Sequence, residues 1–314
     1  MTEGRQPARD FAKRGMRSIA ALLPGVSQRA RRYAGDAGDA GDVGDVGHDR
    51  ARVPALAAAL AVGMGALLGC EHVATQQEEA RSVAEQDLGA DARQNGRLRE
   101  AFFHVQRALK FNPDNAAAAY LGSVVLLQFC ALDEHSSDCR FHEAEVMARK
   151  ALELDPEHRD ARNSLGVILV HEQRFDEAIT VLKPLTEDLV YRSPEAAWGN
   201  LGWAYLERGS MGEAIDALNR AVAVQPLFCV GQYRLGLAYE KKGDLPLARE
   251  AFTKAVDTDV PQCKRLQDAY SARARVLARQ GLRDEARADL ERCRDMGVQT
   301  LAGQKCASQL QTYQ

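Results

Sequence analysis

The sequence has no run of alternating β-branched residues, which excludes a sheet of any size. Aromatic residues make up only 6% of it, while Ala, Leu, Glu and Arg are abundant, a balance that suits helices. Neither sign of charge dominates. The formal net charge is −3, so the basic face that nucleic acid usually requires is not indicated. A Gly-rich phosphate loop is absent. His142-Glu143 and His171-Glu172 each lack the second His of a metalloprotease helix. The Cys and His residues elsewhere show no nucleophile–base arrangement. Scattered carboxylates such as Glu143 and Glu145 read as a solvated helix face. These absences speak against an enzyme and call for no cofactor, metal or small-molecule substrate. They leave a binding module.

What is present is a repeated pattern, clearest over residues 195–228. Trp198, Leu201 and Tyr205 fall at i, i+3 and i+7, one face of a first helix. Gly202 and Ala214 are small, so two helices can approach closely. Gly209 can take the left-handed conformation that ends the first helix, and Pro226 stops the second. The spacing resembles the tetratricopeptide repeat, two antiparallel helices in about 34 residues that stack on copies of themselves. Other copies are in register. The first covers 82–115, with Leu88-Gly89, Gly96, Ala101, Ala108 and Pro113. The second starts near Ala116, carries Leu121-Gly122 one residue out of step, and is interrupted between Cys130 and Cys139. The third covers 159–192, the fourth is the copy just described, and the fifth covers 229–262 with Leu235-Gly236, Tyr239 and Gly243. A degenerate sixth begins near Gln267, and a last helix over 298–312 would cap the open end. The resemblance implies an all-α fold: a right-handed α-solenoid of about six repeats with a C-terminal capping helix, over 76–314.

Ahead of the solenoid, residues 1–52 show no pattern of a fold. Residues 34–47 are a Gly-Asp repeat with almost nothing to bury. Translation is expected to start downstream, near Val43 or Val46; the alternative is a long disordered leader. Arg50 and Arg52 then precede an apolar stretch over 53–69, short enough for a signal-peptide core rather than a span. It ends Leu67-Leu68-Gly69-Cys70, which resembles the bacterial lipobox. That resemblance implies that Cys70 is acylated, palmitate among the chains, and that 70–75 tethers the solenoid to a membrane. Glu71 stands where an Asp would signal retention in the inner membrane, so the outer membrane, facing the periplasm, is the expected location.

Seven cysteines are present, and setting Cys70 aside leaves six in an exported chain. An even number points to disulfides, although six allow 15 pairings. Cys130 and Cys139 bracket a short polar insertion between helices; Cys229 and Cys263 stand at equivalent points of successive repeats; Cys293 and Cys306 flank the turn before the last helix. The expected pairs are therefore 130–139, 229–263 and 293–306. A competing use of the insertion would be a Cys2His2 metal set from Cys130, His135, Cys139 and His142.

In repeats of this type the first helix of each pair lines the inner face. The resemblance then places Asn163, Val167, Val170, Gly199, Trp203, Leu206, Tyr233 and Leu237 in a partner-binding groove, with Trp198 left to core packing. The Lys, Asn and Arg set of the carboxylate-clamp members is not reproduced. Aromatic anchors in an apolar groove suit an amphipathic helix or apolar peptide. One departure from the plain repeat is more specific: the link between the third and fourth copies ends Tyr191-Arg192-Ser193-Pro194. With the lipobox and the six repeats, it resembles the type IV pilus assembly lipoproteins that act as pilotins. This implies a non-enzymatic scaffold that binds secretin subunits and promotes their outer-membrane insertion and multimerisation. The alternative is a general scaffold lipoprotein for envelope or cell-wall enzyme complexes.

Overall fold

The computed structural model describes residues 73–134 and 136–313. The expected leader over 1–52, the signal segment over 53–69, Cys70 and His135 lie outside the described residues. From Ala74 onward these residues belong to one compact unit, and Val73 is the only described residue of a second.

Thirteen α-helices follow one another among the described residues, with no strand. They are α1 (Gln76–Gln94), α2 (Leu98–Phe111), α3 (Ala116–Leu132), α4 (Phe141–Leu154), α5 (Arg159–His171) and α6 (Phe175–Glu187). Then come α7 (Pro194–Arg208), α8 (Met211–Val224), α9 (Cys229–Lys242), α10 (Leu245–Val256), α11 (Gln267–Arg279), α12 (Arg283–Met296) and α13 (Leu301–Leu310). They form six helical hairpins and a cap, a tetratricopeptide-repeat solenoid. The first helix begins at Gln76, well ahead of the Ser82 expected from the repeat register, because Thr75 and Glu78 cap it reciprocally. The last stops at Leu310 and passes into a 3-10 turn, Gln311–Tyr313. Each odd-numbered helix packs against its own even-numbered partner and also against the next odd-numbered helix. The odd-numbered helices therefore make a continuous inner layer.

One contact recurs in every central hairpin. Gly166, Gly202 and Gly236 each face a large side chain of the partner helix, Leu182, Leu218 and Phe252. A Cβ on Gly202 would lie 2.6 Å from Leu218 Cγ, so the absence of a side chain sets how closely α7 and α8 approach. Leu182, Leu218 and Phe252 are all fully buried there. Gly209 and Gly243 end α7 and α9 in the left-handed conformation, at φ 91° and 88°. The third repeat makes the same turn with Gln173 at φ 61°, a conformation costing a non-glycine residue about 1 kcal/mol. The next residue, Arg174, anchors that turn through Glu145, Glu172 and Glu177.

The two longest connections among the described residues, 133–140 and 257–266, are each tied by a disulfide. Cys130 is bonded to Cys139 and Cys229 to Cys263, while Cys293–Cys306 fastens the cap α13 to α12. Cross-links of this kind act mainly by restricting the unfolded chain. The Cys130–Cys139 bond leaves no thiolate for the Cys2His2 metal set. The 133–140 loop is further held by Arg99–Asp138 at 2.8 Å and by Arg140 over the Phe102 ring.

The same chemical change at two glycines should have opposite effects. Gly202→Ala forces Leu218 aside and should cost about 1–3 kcal/mol. Gly212→Ala lies in α8 with nothing within 4 Å of the new Cβ, and should gain roughly 0.5–1 kcal/mol. Urea unfolding followed by circular dichroism reads both; equal shifts would remove the close approach as the controlling contact.

Candidate partner-binding groove

A row of side chains from four helices runs along the inner layer of repeats three to five, starting from the second helix of repeat two. Phe141 opens α4, immediately after the Cys130–Cys139 loop, and its ring stacks on His171, the last residue of α5, at 4.9 Å. His171 meets the edge of Trp203 on α7 at 5.0 Å. The guanidinium of Arg234 on α9 lies over the other part of this row, 4.4 Å from the Trp203 ring centre. The result is a ladder Phe141–His171–Trp203–Arg234 running across successive repeats.

A polar ladder runs beneath it. Asn200 donates from Nδ2 to Asn163 Oδ1 at 2.9 Å. Arg234 donates from Nη1 to Asn200 Oδ1 at 2.8 Å and to the Gly199 carbonyl at 3.1 Å. Asn163, Asn200 and Arg234 are all buried. Burial pushes the Arg234 guanidinium down to about 10, far below its ordinary value but still charged at neutral pH. Its recorded acceptors are neutral, so dipoles and an aromatic face stabilise the charge. Burial of the ring, with a smaller contribution from Arg234, bears on His171: the residue as a whole is exposed, yet its ring is wedged between Phe141 and Trp203. Its pKa lies below the ordinary 6.5. Glu134, from the disulfide-closed loop, acts on it in the opposite sense.

Of the eight residues expected to line the groove, Val167, Trp203, Tyr233 and Leu237 are partly buried and keep surface on this side. Asn163, Val170, Gly199 and Leu206 are buried and present no surface to a partner. That corrects the expectation for those four. Asn163 is taken up by the amide ladder. Gly199 is small because the Phe228 ring fills the space a Cβ would occupy, 2.6 Å away. Val170 and Leu206 belong to the packed interior between repeats. Tyr233 and Leu237 pack partly against Phe252, and burial raises the Tyr233 hydroxyl. Trp198 is partly buried against the core with Arg220 over its ring.

The sequence reading missed Phe141, His171, Asn200 and Arg234. For the last two a signal was there: each immediately precedes the Leu-Gly pair of its repeat, Leu201-Gly202 and Leu235-Gly236. Toward the sixth repeat the inner face becomes ionic. Arg275 donates to both Glu240 oxygens at 2.7 Å, with Arg279 at 3.6 Å. Elsewhere, His142, Glu145 and Glu172 offer ligand atoms within 4.8 Å of one another. Burial would raise the Glu145 carboxyl, but Arg149 and Arg174 more than offset that and hold it low. Both of its neighbours in charge are guanidinium groups, so a cation would have to displace them. Chemically, the inner face can hold an apolar or aromatic segment against Val167, Trp203 and Leu237, with the Arg234 guanidinium buried beneath.

Two tetratricopeptide-repeat family models match the chain, one over residues 139–190 and the other over 183–226 and 233–297. A search of curated protein sequences gave no significant match. Among solved structures, the chain is similar to PilW, described as a widely conserved type IV pilus biogenesis factor. The identity is 21%, over 74% of this chain and 99% of that one, with a TM-score of 0.59. It is similar to PilF of Pseudomonas aeruginosa at 18% identity, over 74% of this chain and 100% of that one, TM-score 0.55. It is also similar to a tetratricopeptide repeat protein of Parabacteroides merdae at 17% identity, covering 73% and 84%, TM-score 0.60. At these identities the likeness establishes the fold: a chain of tetratricopeptide repeats.

The depressed pKa of His171 has a visible consequence. A protonated imidazole beside indole quenches its emission, so tryptophan fluorescence should fall on acidification with a midpoint below 6.5. Because the imidazole is neutral in the folded state at pH 7 and the unfolded one protonates first, stability should also decline as pH falls below 6.5. His171→Gln should abolish the fluorescence step; a midpoint above 6.5 would mean the ring is not shielded as described.

Proposed function

We propose that this protein is a non-enzymatic, periplasm-facing lipoprotein scaffold that binds type IV pilus secretin subunits and promotes their insertion and multimerisation in the outer membrane. The observation that carries the binding role is the inner row of Trp203, Val167 and Leu237, partly open, with Arg234 buried beside them. An apolar segment of a secretin subunit would gain burial against that row. Lipid chains on Cys70 would bring the complex to the membrane, and the groove would shield apolar secretin surface on the way.

Three features support the pilus assignment. The Leu67-Leu68-Gly69-Cys70 sequence resembles a lipobox, and Tyr191-Arg192-Ser193-Pro194 resembles the link of pilotins. The solenoid also matches PilW and PilF over nearly their whole lengths. No described helix is long and apolar enough to cross a membrane. A second reading is a general scaffold for envelope or cell-wall enzymes; the equally good superposition on the Parabacteroides merdae repeat protein means that the fold by itself does not choose between the two.

Deleting the gene should abolish heat-resistant secretin multimers in outer-membrane fractions, read on a blot of heat-treated membranes. Multimers at wild-type level would overturn the secretin assignment and leave the general scaffold. Trp203→Ala should weaken secretin binding at least tenfold, as the loss of a central aromatic anchor does. Arg234 also loses its ring partner in that variant, so the melting curve must be compared. A binding loss matched by a collapse in stability would reassign Trp203 to structure alone.

A further inference from the structure

Helices alternate in direction along the stack, so every odd-numbered helix starts at one edge of the solenoid and every even-numbered helix ends there. The connections at that edge contact one another across repeats. Arg159, at the start of α5, pairs with Asp188 in the 188–193 connection. Cys263, in the 257–266 connection, is bonded to Cys229 at the start of α9. Thr300 and Gln267 join the last two connections at 2.8 Å.

This edge exposes large apolar side chains at its tips. Leu189 is 99% exposed and Val190 69%. Leu227, Val298 and Leu301 are each more than half exposed. The opposite edge turns on Gln173, Gly209, Ser210, Gly243, Asp244 and Gly281; the nearest large apolar residues among those described, Leu132 and Leu247, are under half exposed. Nor is the Leu189–Val190 tip a slack loop. Val190 N donates to Asp188 Oδ1 at 3.0 Å, Tyr191 N to the Asp188 carbonyl at 3.2 Å, and Asp188 is paired with Arg159. Tyr191 and Ser193 are buried behind it. Two apolar side chains are held outward by a built turn.

We propose that this edge rests on the membrane, with Leu189 and Val190 inserted at the headgroup boundary; this extends the reading of Cys70 as the lipid anchor and rests on it. The chain enters the solenoid at the same edge, since Thr75 caps the start of α1. Thr75 stands five residue steps beyond Cys70, a reach of at most about 17 Å fully extended. A solenoid tethered so closely keeps that edge near the lipid. The apolar tips are also spread over the 188–193, 225–228 and 297–300 connections and the start of α13 rather than gathered into a concave site, which suits a deformable bilayer surface. The inner groove is then left free for a protein partner.

The test places a fluorescent probe at each edge of the full-length acylated protein, reconstituted in vesicles of phosphatidylethanolamine and phosphatidylglycerol with plain or dibrominated chains. Leu189→Trp and Gln173→Trp each add one indole over the same background from Trp198 and Trp203; the Leu189 side chain is free of contacts, so its replacement leaves the fold intact. Brominated lipid should quench about half of the emission added at 189 and none of that added at 173. Equal quenching at the two positions, or none at 189, overturns the membrane-facing edge. A 189 probe unquenched by lipid but shielded from acrylamide when secretin subunits are added assigns the edge to protein and also overturns it. Intact mass separates the two levels: an unmodified Cys70 overturns the anchor and this inference together, whereas an acylated chain with an unquenched 189 probe overturns the inference alone.

Discussion

Everything in this fold depends on how closely two helices can approach where one of them has no side chain. Gly166, Gly202 and Gly236 let Leu182, Leu218 and Phe252 of the facing helix sit against backbone. That contact fixes the separation and register of each hairpin. It in turn sets which side chains of the odd-numbered helices are left for the next repeat, because a hairpin cannot cover its own apolar face. Disulfides appear where this repeating constraint is interrupted, at the long 133–140 and 257–266 connections and at the cap.

The inner face inherits its character from the same stacking. Each odd-numbered helix leans on the next, so a side chain of one repeat is finished by a side chain of its neighbour: Trp203 by Arg234, Gly199 by Phe228, Asn163 by Asn200. Arg234 is the costliest of these groups to bury, since its direct hydrogen-bond partners are neutral. Its neighbours hold it in one place, beside the partly open Trp203. The surface offered to a partner is thus narrower and more polar than an apolar trough, and it is bordered at one end by the disulfide-closed loop and at the other by the Glu240–Arg275 pair.

Much of the architecture was legible in the sequence because it rests on spacing. The six hairpins, the cap and the turn at Gly209 follow from positions of small residues and helix breakers. The structure joins the same cysteine pairs that the spacing indicates. What spacing could not give was occlusion. Position within a helix says which face Val170, Leu206 or Asn163 occupies, but burial is decided by the adjacent repeat. Gln173 in a left-handed turn was likewise hidden, because one of the Arg174 ion pairs that anchor it reaches back to Glu145 in the preceding repeat. Arg234 reads as a surface charge until its neighbours are placed.

In the proposed role the inner layer, and not the outer helices, would meet the secretin. A photo-crosslinking amino acid placed at Leu237, on the inner side of α9, and separately at Glu153, on the exposed side of α4, tests it in living cells. Mass-spectrometric identification of the adducts should find secretin subunits joined at 237 and not at 153. Secretin adducts at 153 alone, or none at either position while the multimer assembles normally, would contradict a groove-binding scaffold.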